Sequence, residues 1–442
     1  MFEKLMNIFR VPDLRKKVFF VLGALVIFRV GAHIPVPGID VNALNSYFAQ
    51  HSNGLLNLVD MFSGGALKRF TVFALGIMPY ISASIILQLL TVVIPYLEKL
   101  SKEGEFGRKK INQYSRYLTV LICMLQAYGL SAWMKSMHAP DGSPVVYNPT
   151  LGFTLLTVLT MTTGTMYLMW LGERMTERGI GNGISLLIFA GIIARFPASV
   201  AQLIMKVKIG EFNPVSLLII LAMFVLMIAF IVYIEQGQRR LPVQYAQRIV
   251  GRKVYGAQST HIPLKINPAG VMPIIFASAI ILFPAQISTF LGKKYAFFNK
   301  VALIFAPGTP GYLITYAILI IFFTYFYTGI TFNPKDISEN LRKFGGFIPG
   351  IRPGDNTTKY IEKVLNRIVL PGSFFLAFVA VFPSLVRIWM GIPASFAQMM
   401  GGTSLLIVIG VALDTMKQIE SQLLMRHYDG FLSKGKLRGR RY

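Results

Sequence analysis

The chain has 442 residues, of which 54% are hydrophobic and only 14% are charged, and its formal net charge is +25. Soluble domains carry roughly 25% charged residues, so this composition excludes an ordinary soluble protein and places the chain among membrane proteins. Cys123 is the only cysteine, which excludes an intramolecular disulfide and a cluster of thiolate metal ligands.

Apolar windows long enough to cross a bilayer recur along the whole chain, since a spanning helix needs roughly 20 apolar residues. They cover residues 18–34, 70–94, 117–137, 151–171, 184–205, 214–234, 268–290, 311–332, 368–387 and 402–424. No small-residue cleavage site follows the first window, so we expect it to be retained as a span. The pattern predicts an all-α polytopic membrane protein with ten transmembrane helices.

The segment Leu55–Lys68, between the first two windows, is apolar but too short to cross the bilayer. A segment of this length either lies in the membrane interface or re-enters the helix bundle. Ser63, Gly64 and Gly65 near its end offer a flexible joint.

The second window contains polar and helix-disturbing residues where a lipid-facing helix would carry Leu and Ile. Pro79 removes a backbone donor and is expected to disturb the turn before it. A broken helix in a membrane is tolerated only where it faces protein or water. Ile77 and Ile81 are four residues apart and therefore stack on one helix face. The window predicts part of a pore or of a substrate path.

The windows divide evenly around residues 206–210, with five before and five after. Two halves with the same odd number of spans must have opposite orientations, which is the topology of an inverted repeat with a path between its halves. We predict an N-terminal half over residues 1–207, a C-terminal half over 208–424 and a basic tail over 425–442.

The distribution of basic residues predicts the orientation. The N-terminal tail, the loops after the even-numbered windows and the C-terminal tail hold 32 of the 44 Lys and Arg residues, and the alternate loops hold seven. This bias places both termini and the two long basic loops, 236–266 and 332–367, in the cytoplasm. Arginines in these loops could bind RNA or an acidic protein surface. Alternatively, they only fix the topology and contact anionic lipid headgroups.

Sequence motifs of catalysis are missing. The chain has no His-Glu-x-x-His, no Gly-x-Ser-x-Gly and no Gly-Lys-Ser/Thr phosphate-binding loop, and its five histidines are scattered. We expect no enzyme activity, no cofactor and no metal site.

Several long motifs resemble those of the SecY family, the central subunit of the protein-conducting channel. The first is Gly64-Gly65 followed by Gly-Ile-Met-Pro-Tyr-Ile-Ser-Ala-Ser at 76–84, and the second is Leu-Gly-Glu-Arg-Met-Thr-Glu-Arg-Gly-Ile-Gly-Asn-Gly-Ile-Ser at 171–185. Further matches occupy residues 35–38, 257–265, 347–354 and 401–407. The resemblance covers about residues 18–424 and is bacterial in type.

This resemblance implies two inverted five-helix halves around a central, hourglass-shaped pore. The waist would be a ring of apolar side chains, and a short re-entrant helix near 55–68 would plug it from outside. By motif position the pore ring is Ile77, Ile81, Ile188, Ile275 and Ile407, and the plug includes Asp60, Met61, Phe62, Ser63, Gly64 and Gly65.

The family also opens sideways to lipid, between spans two and three on one half and spans seven and eight on the other. The resemblance assigns Ser82, Gln126 and Asn267 to this lateral gate, and Arg239, Arg240 and Arg352 to partner docking. The implied partners are the SecE and SecG subunits, the SecA motor ATPase, the ribosome, signal sequences, unfolded polypeptides and membrane lipids. The implied location is the bacterial cytoplasmic (inner) membrane.

The sequence thus predicts a channel that passes unfolded secretory proteins across the membrane and inserts membrane proteins laterally into it. One alternative is a secondary transporter for a small solute, for which the intramembrane charges Asp414 and Lys417 would be candidates. These two residues are three apart and can also pair with each other. Another alternative is an insertase without a through-pore. An apolar isoleucine set argues against a transporter because it offers a solute nothing to bind.

Overall fold

The computed structural model describes residues 11–50, 60, 63–138, 142–210, 214–245, 248–250, 253–255, 259–291, 309–391, 396–397 and 402–434. Its contacts group the chain into two compact units. The first unit is Met1–Ala198 together with Ile407–Tyr442, and the second is Ser199–Leu406.

Helices account for most of the described residues. Those before the long basic loops are α1 (Pro12–Gly31), α2 (Val41–Gln50), α3 (Met78–Val93), α4 (Pro95–Lys102), α5 (Glu105–Lys135), α6 (Leu151–Arg178), α7 (Gly183–Lys208) and α8 (Pro214–Gln236). The later ones are α9 (Met272–Leu291), α10 (Pro310–Thr331), α11 (Pro334–Lys343), α12 (Asp355–Met390) and α13 (Gly402–Lys434).

Seven described helices are long and apolar enough to cross a membrane, and the pair α3 and α4 makes eight if it is one bent span. The two helices of this pair are bent by 102° relative to each other. The bend falls at Ile94, whose extended backbone (φ −98°, ψ 113°) is the conformation that a following proline, here Pro95, favours. Each of the ten predicted windows overlaps a helix, which makes this a multi-pass membrane protein. The exact number of ten spans stays a prediction.

Helix α3 corrects the prediction for the second window. Residues 63–77 form turns rather than helix, apart from a single bridge between Thr71 and Pro35, and the helix begins only at Met78. Pro79 therefore lies in the first turn of α3, where its missing N–H would have no intrahelical acceptor in any case. The expectation that Pro79 breaks a helix was wrong, because the proline starts one.

The long basic loops are folded. Residues 236–266 contain β1 (Gln238–Tyr245), β2 (Arg248–Val250), β3 (Lys253–Tyr255) and β4 (Ser259–Lys265), and β5 (Gly346–Phe347) comes from the second loop. Strand β1 is the centre of a three-stranded sheet with the order β4-β1-β5, and β2 pairs with β3. We call β1, β4, β5, α11, the turn at residues 348–354 and the start of α12 the basic platform. It shares one hydrophobic core of Leu241, Val243, Leu264, Leu341, Ile348 and Ile361.

Candidate functional site

The described part of the predicted plug lies just before α3. Residues 63–77, the turn segment, follow Asp60 and lead directly into that helix. Asp60 is 0% exposed and Ser63 is 1% exposed. Of the other predicted plug residues, Gly64 and Gly65 lie in the turn segment. Met61 and Phe62 lie outside the described residues, as do positions 55–59.

Asp60 organises the start of the turn segment and ties it to α7. Its carbonyl oxygen accepts hydrogen bonds from the backbone N–H of Gly65 at 3.0 Å and from the hydroxyl of Ser63 at 3.1 Å. Its carboxylate Oδ1 accepts the backbone N–H of Lys68 at 3.1 Å. The other carboxylate oxygen, Oδ2, lies 3.3 Å from Nη1 of Arg195 on α7. One carboxylate thus contacts both the turn segment and the helix behind it.

Gly64 brings the turn segment into backbone contact with the same helix. Its φ is +69°, and a Cβ there would lie 2.9 Å from Cα of Gly191. The approach therefore requires glycine, both for the left-handed backbone and for the space. From the other side, Nη1 of Arg29 on α1 donates a hydrogen bond to the Gly64 carbonyl at 3.0 Å. Helices α1 and α7 together hold this residue.

The rest of the turn segment packs on α6 and on the residues after α1. A Cβ on Gly164 of α6 would lie 2.1 Å from the Val72 carbonyl oxygen, so the backbone of the segment rests directly on that helix. The N–H of Val72 donates to the carbonyl of Ile34 at 3.0 Å, and the N–H of Val36 donates to the carbonyl of Phe70 at 2.9 Å. The segment is therefore docked within the first unit by close backbone packing.

Two cations, Lys68 and Arg195, lie near the Asp60 carboxylate. Burial lowers the pKa of the Lys68 ammonium group, the positive charge of Arg195 lowers it further, and the negative charge of Asp60 opposes both effects. Lys68 and Arg195 are thus close enough to repel each other, and the Asp60 carboxylate attracts both of them.

The five isoleucines of the predicted pore ring are all buried, with exposed fractions of 1–7%. Ile77 immediately precedes α3, and the N–H of Ile81 donates to the carbonyl of Ile77 at 3.1 Å, so the two lie one helical turn apart. Ile188 lies on α7 and Ile407 on α13, both in the first unit, whereas Ile275 lies on α9 in the second unit. Their common role as a ring stays a prediction.

The three residues of the predicted lateral gate have different surroundings. Ser82 on α3 is buried, and Gln126 on α5 is partly buried. Asn267 is 2% exposed, and its Nδ2 donates to Oε1 of Glu235 at 2.6 Å and to the Gly270 carbonyl at 3.0 Å. This contact joins the end of α8 to the residues before α9, within the second unit. Sequence reasoning missed Glu235, although a lone acid ending an apolar window is a detectable signal.

The three predicted docking arginines all lie on the basic platform and are all exposed. Arg239 and Arg240 are consecutive residues of β1, opposite Leu264 and Pro263 of β4, so their side chains point to opposite faces of the sheet. Arg352 lies in the turn before α12. The shared core of the platform fixes these three charges relative to one another.

One further ion pair of the first unit joins α5 to α6. Nε and Nη2 of Arg116 on α5 donate to the two carboxylate oxygens of Glu173 on α6, at 3.1 and 2.8 Å. Among the described ion pairs none joins Asp414 to Lys417, so their expected pairing is not observed. In the part of the chain that the structure describes, no group of three His, Cys, Asp or Glu side chains could hold a metal ion.

Comparisons with known proteins point to one family. The family model for SecY matches residues 71–416. The protein translocase subunit SecY of Aquifex aeolicus (strain VF5) is 48% identical over 435 residues, which covers 98% of this chain and 100% of that protein.

Two solved structures share the fold. One, described as showing that the plug domain of the SecY protein stabilises the closed state of the translocation channel and maintains a membrane seal, has a TM-score of 0.63 at 17% identity. It covers 91% of both chains. The other, Sec61 in the canine ribosome-channel complex from the endoplasmic reticulum, has a TM-score of 0.59 at 16% identity and also covers 91% of both chains.

Proposed function

Since the chain belongs to the SecY family and is a subunit of a protein-conducting channel, we propose that unfolded secretory polypeptides cross the membrane through a waist lined by its predicted pore-ring isoleucines. The observation that carries this proposal is the identity of 48% with a translocase subunit along essentially the entire chain. The protein is a channel subunit and not an enzyme. No observation favours the secondary transporter or the insertase without a through-pore.

A ring of isoleucines suits a protein channel for a physical reason. An apolar constriction loses its water and so blocks ions, yet it offers a passing polypeptide no strong binding site. Ile77 and Ile81 follow the turn segment directly in the chain and lie one turn apart. This continuity supports a turn segment that acts as the plug beside the ring. We further propose that residues 1–207 and 208–424 are the two halves of the channel.

Lateral insertion would use the gate residues Ser82, Gln126 and Asn267. A hydrogen bond in such a cluster contributes about 1 kcal/mol net, which a hydrophobic segment entering lipid can offset. The bond between Asn267 and Glu235 is 2.6 Å long and supports a role for this asparagine in holding the region before α9. If Asn267 moves during insertion, it must either keep its hydrogen bond to Glu235 or replace it with another.

The basic platform would dock the partners that deliver polypeptides. We propose that Arg239, Arg240 and Arg352 contact the ribosome during co-translational insertion and the SecA motor ATPase during export, with SecE and SecG as companion subunits. The similarity to Sec61 in a ribosome-channel complex and the exposure of all three arginines support this. The proposed location is the bacterial cytoplasmic membrane, with both termini in the cytoplasm.

Cross-linking to an arrested secretory chain tests the path. Cys123 is replaced by Ser, and single cysteines are placed at Ile77, Ile188 and Ile407. Matched controls carry the cysteine at Leu159 or Leu226, which are 65% and 68% exposed on the surface of α6 and α8. We expect cross-links at all three ring positions and none at the controls. If the stalled complex forms but the ring positions stay silent, the channel path is wrong and solute uptake becomes the next assay.

A further inference from the structure

We propose that the ion pair between Asp60 and Arg195 is the latch that holds the turn segment on α7. Its strength would set how easily a translocating chain displaces that segment. This inference rests on the proposed function of the segment as a plug.

The ion pair and the contact between Gly64 and Gly191 lie on the same face of α7. Gly191, which the backbone of Gly64 touches, and Arg195, which pairs with Asp60, are four residues apart on that helix. Residues with this spacing lie above one another on the same helix face. Asp60 and Gly64 are also four apart. The steric contact therefore positions the segment so that the carboxylate reaches the guanidinium group.

The surroundings of Asp60 leave Arg195 as the partner of one of its two carboxylate oxygens. The carboxylate is 0% exposed, while the Arg195 side chain keeps 20% of its surface exposed. Oδ1 is occupied by the N–H of Lys68 at 3.1 Å, so Oδ2 is the oxygen that faces Arg195. Displacing the segment separates this pair, and only Asp60 leaves with the segment. Closing the channel restores a buried charge to its partner.

Neutralising Arg195 and neutralising Asp60 should therefore destabilise the docked segment to different extents. Replacing Arg195 by Gln leaves the fully buried Asp60 carboxylate without the guanidinium group that pairs with it, which is costly and is relieved when the segment moves out. Replacing Asp60 by Asn leaves a partly exposed arginine that can reach water, and the Asn oxygen can still accept the Lys68 N–H. We expect the Arg195 change to open the channel more than the Asp60 change.

The test measures ion leak through vesicles that contain the complete translocase complex, without a secretory substrate. We expect Arg195→Gln to raise the leak by more than about tenfold, and Asp60→Asn to raise it less. The double variant should leak less than Arg195→Gln alone, because the buried carboxylate that lost its guanidinium partner is gone as well. Arg195→Lys keeps the charge and should stay within about twofold of the unchanged protein.

The pair Arg116 and Glu173 provides the matched control, since Arg116→Gln and Glu173→Gln break an ion pair of the same unit whose two residues lie outside the turn segment. These variants should keep the leak of the unchanged protein. An equal leak in Arg195→Gln and in these controls would overturn the latch, and so would a double variant that leaks as much as Arg195→Gln.

Translocation of a secretory precursor into the same vesicles distinguishes a failure of the latch from a failure of the proposed channel function. If the unchanged complex translocates but the Asp60 and Arg195 variants are not leaky, the latch alone is wrong. If the unchanged complex fails to translocate, the proposed function itself is wrong. Should Arg195→Gln fail to assemble, Asp60→Asn decides, because an unchanged leak in that variant overturns the latch.

Discussion

Gly64 and Gly65 adjoin in the turn segment and both have a left-handed backbone, yet their surroundings differ. A Cβ on Gly64 (φ +69°) would lie 2.9 Å from Cα of Gly191, whereas a Cβ on Gly65 (φ +90°) would have nothing within 4 Å. Replacing either residue by alanine introduces backbone strain of about 1 kcal/mol. Only the change at Gly64 also pushes the segment away from α7. Comparing the two alanine variants therefore distinguishes the effect of backbone strain from the effect of the lost contact with α7.

This comparison predicts how alanine changes the docking of the turn segment. Ala66 is 0% exposed, so a cysteine placed there in a Cys123→Ser background reports undocking through its rate of alkylation. We expect Gly64→Ala to raise that rate by about tenfold or more, because a clash between two backbones cannot be relieved by a side-chain movement. Gly65→Ala should raise it much less. Equal rates would mean that the Gly64–Gly191 contact does not hold the segment.

The motif resemblance pointed to Asp60, Gly64 and Gly65, but the partner Arg195 could not be inferred from it. A motif fixes residue identity along the chain, whereas the contact between positions 60 and 195 depends on the tertiary packing of the turn segment on α7. The available signal was an arginine inside the apolar window 184–205, where a charge needs a partner or a route to water. That signal indicates a pair without naming its other member.

At the scale of elements, hydropathy located the helices because some 20 residues contribute to each window, and every window overlaps a helix. It failed at the start of α3, because residues 70–77 are apolar yet form turns that bury their backbone against α6. It also gave no sign of β1 and β4, whose exposed residues are mostly polar or charged and are typical of a loop. Apolarity predicts burial, but the local backbone is decided by glycines, prolines and close packing.

Helices α9 and α10 are joined by a buried hydrogen bond between the hydroxyls of Ser278 and Tyr316, 2.9 Å apart. Tyr316→Phe removes this bond with little change of shape, and Ser278 Oγ keeps its bond to the Ile274 carbonyl at 2.7 Å. We therefore expect the free energy of unfolding to fall by only about 1 kcal/mol. Denaturant titration of the purified protein in detergent measures it.

The control for this change is Tyr325→Phe on the same helix, at a position that is 37% exposed. It removes the same hydroxyl group from an exposed position of that helix, so the unfolding free energy should stay within about 0.5 kcal/mol of the unchanged value. Equal losses for the two variants would mean that the bond between α9 and α10 contributes nothing particular to stability.

At the scale of the whole molecule, the formal net charge of +25 raises the question of whether partners are attracted by total charge or by the basic platform. A net charge of this size attracts any anionic surface, including RNA and acidic proteins. A platform with a shared hydrophobic core, in contrast, presents Arg239, Arg240 and Arg352 in a defined arrangement and can select a partner by geometry. The two explanations differ in what a charge reversal does at different places.

Arg352→Glu on the platform and Lys208→Glu at the end of α7 change the net charge by the same amount, and both side chains are exposed. The basic-residue bias predicts that they lie on opposite sides of the membrane. We expect Arg352→Glu to weaken ribosome binding by the reconstituted complex about tenfold, or about 1.4 kcal/mol, mainly through slower association at low salt. Lys208→Glu should leave binding unchanged. If both variants weaken binding equally, total charge attracts the ribosome and the arrangement of the platform does not matter.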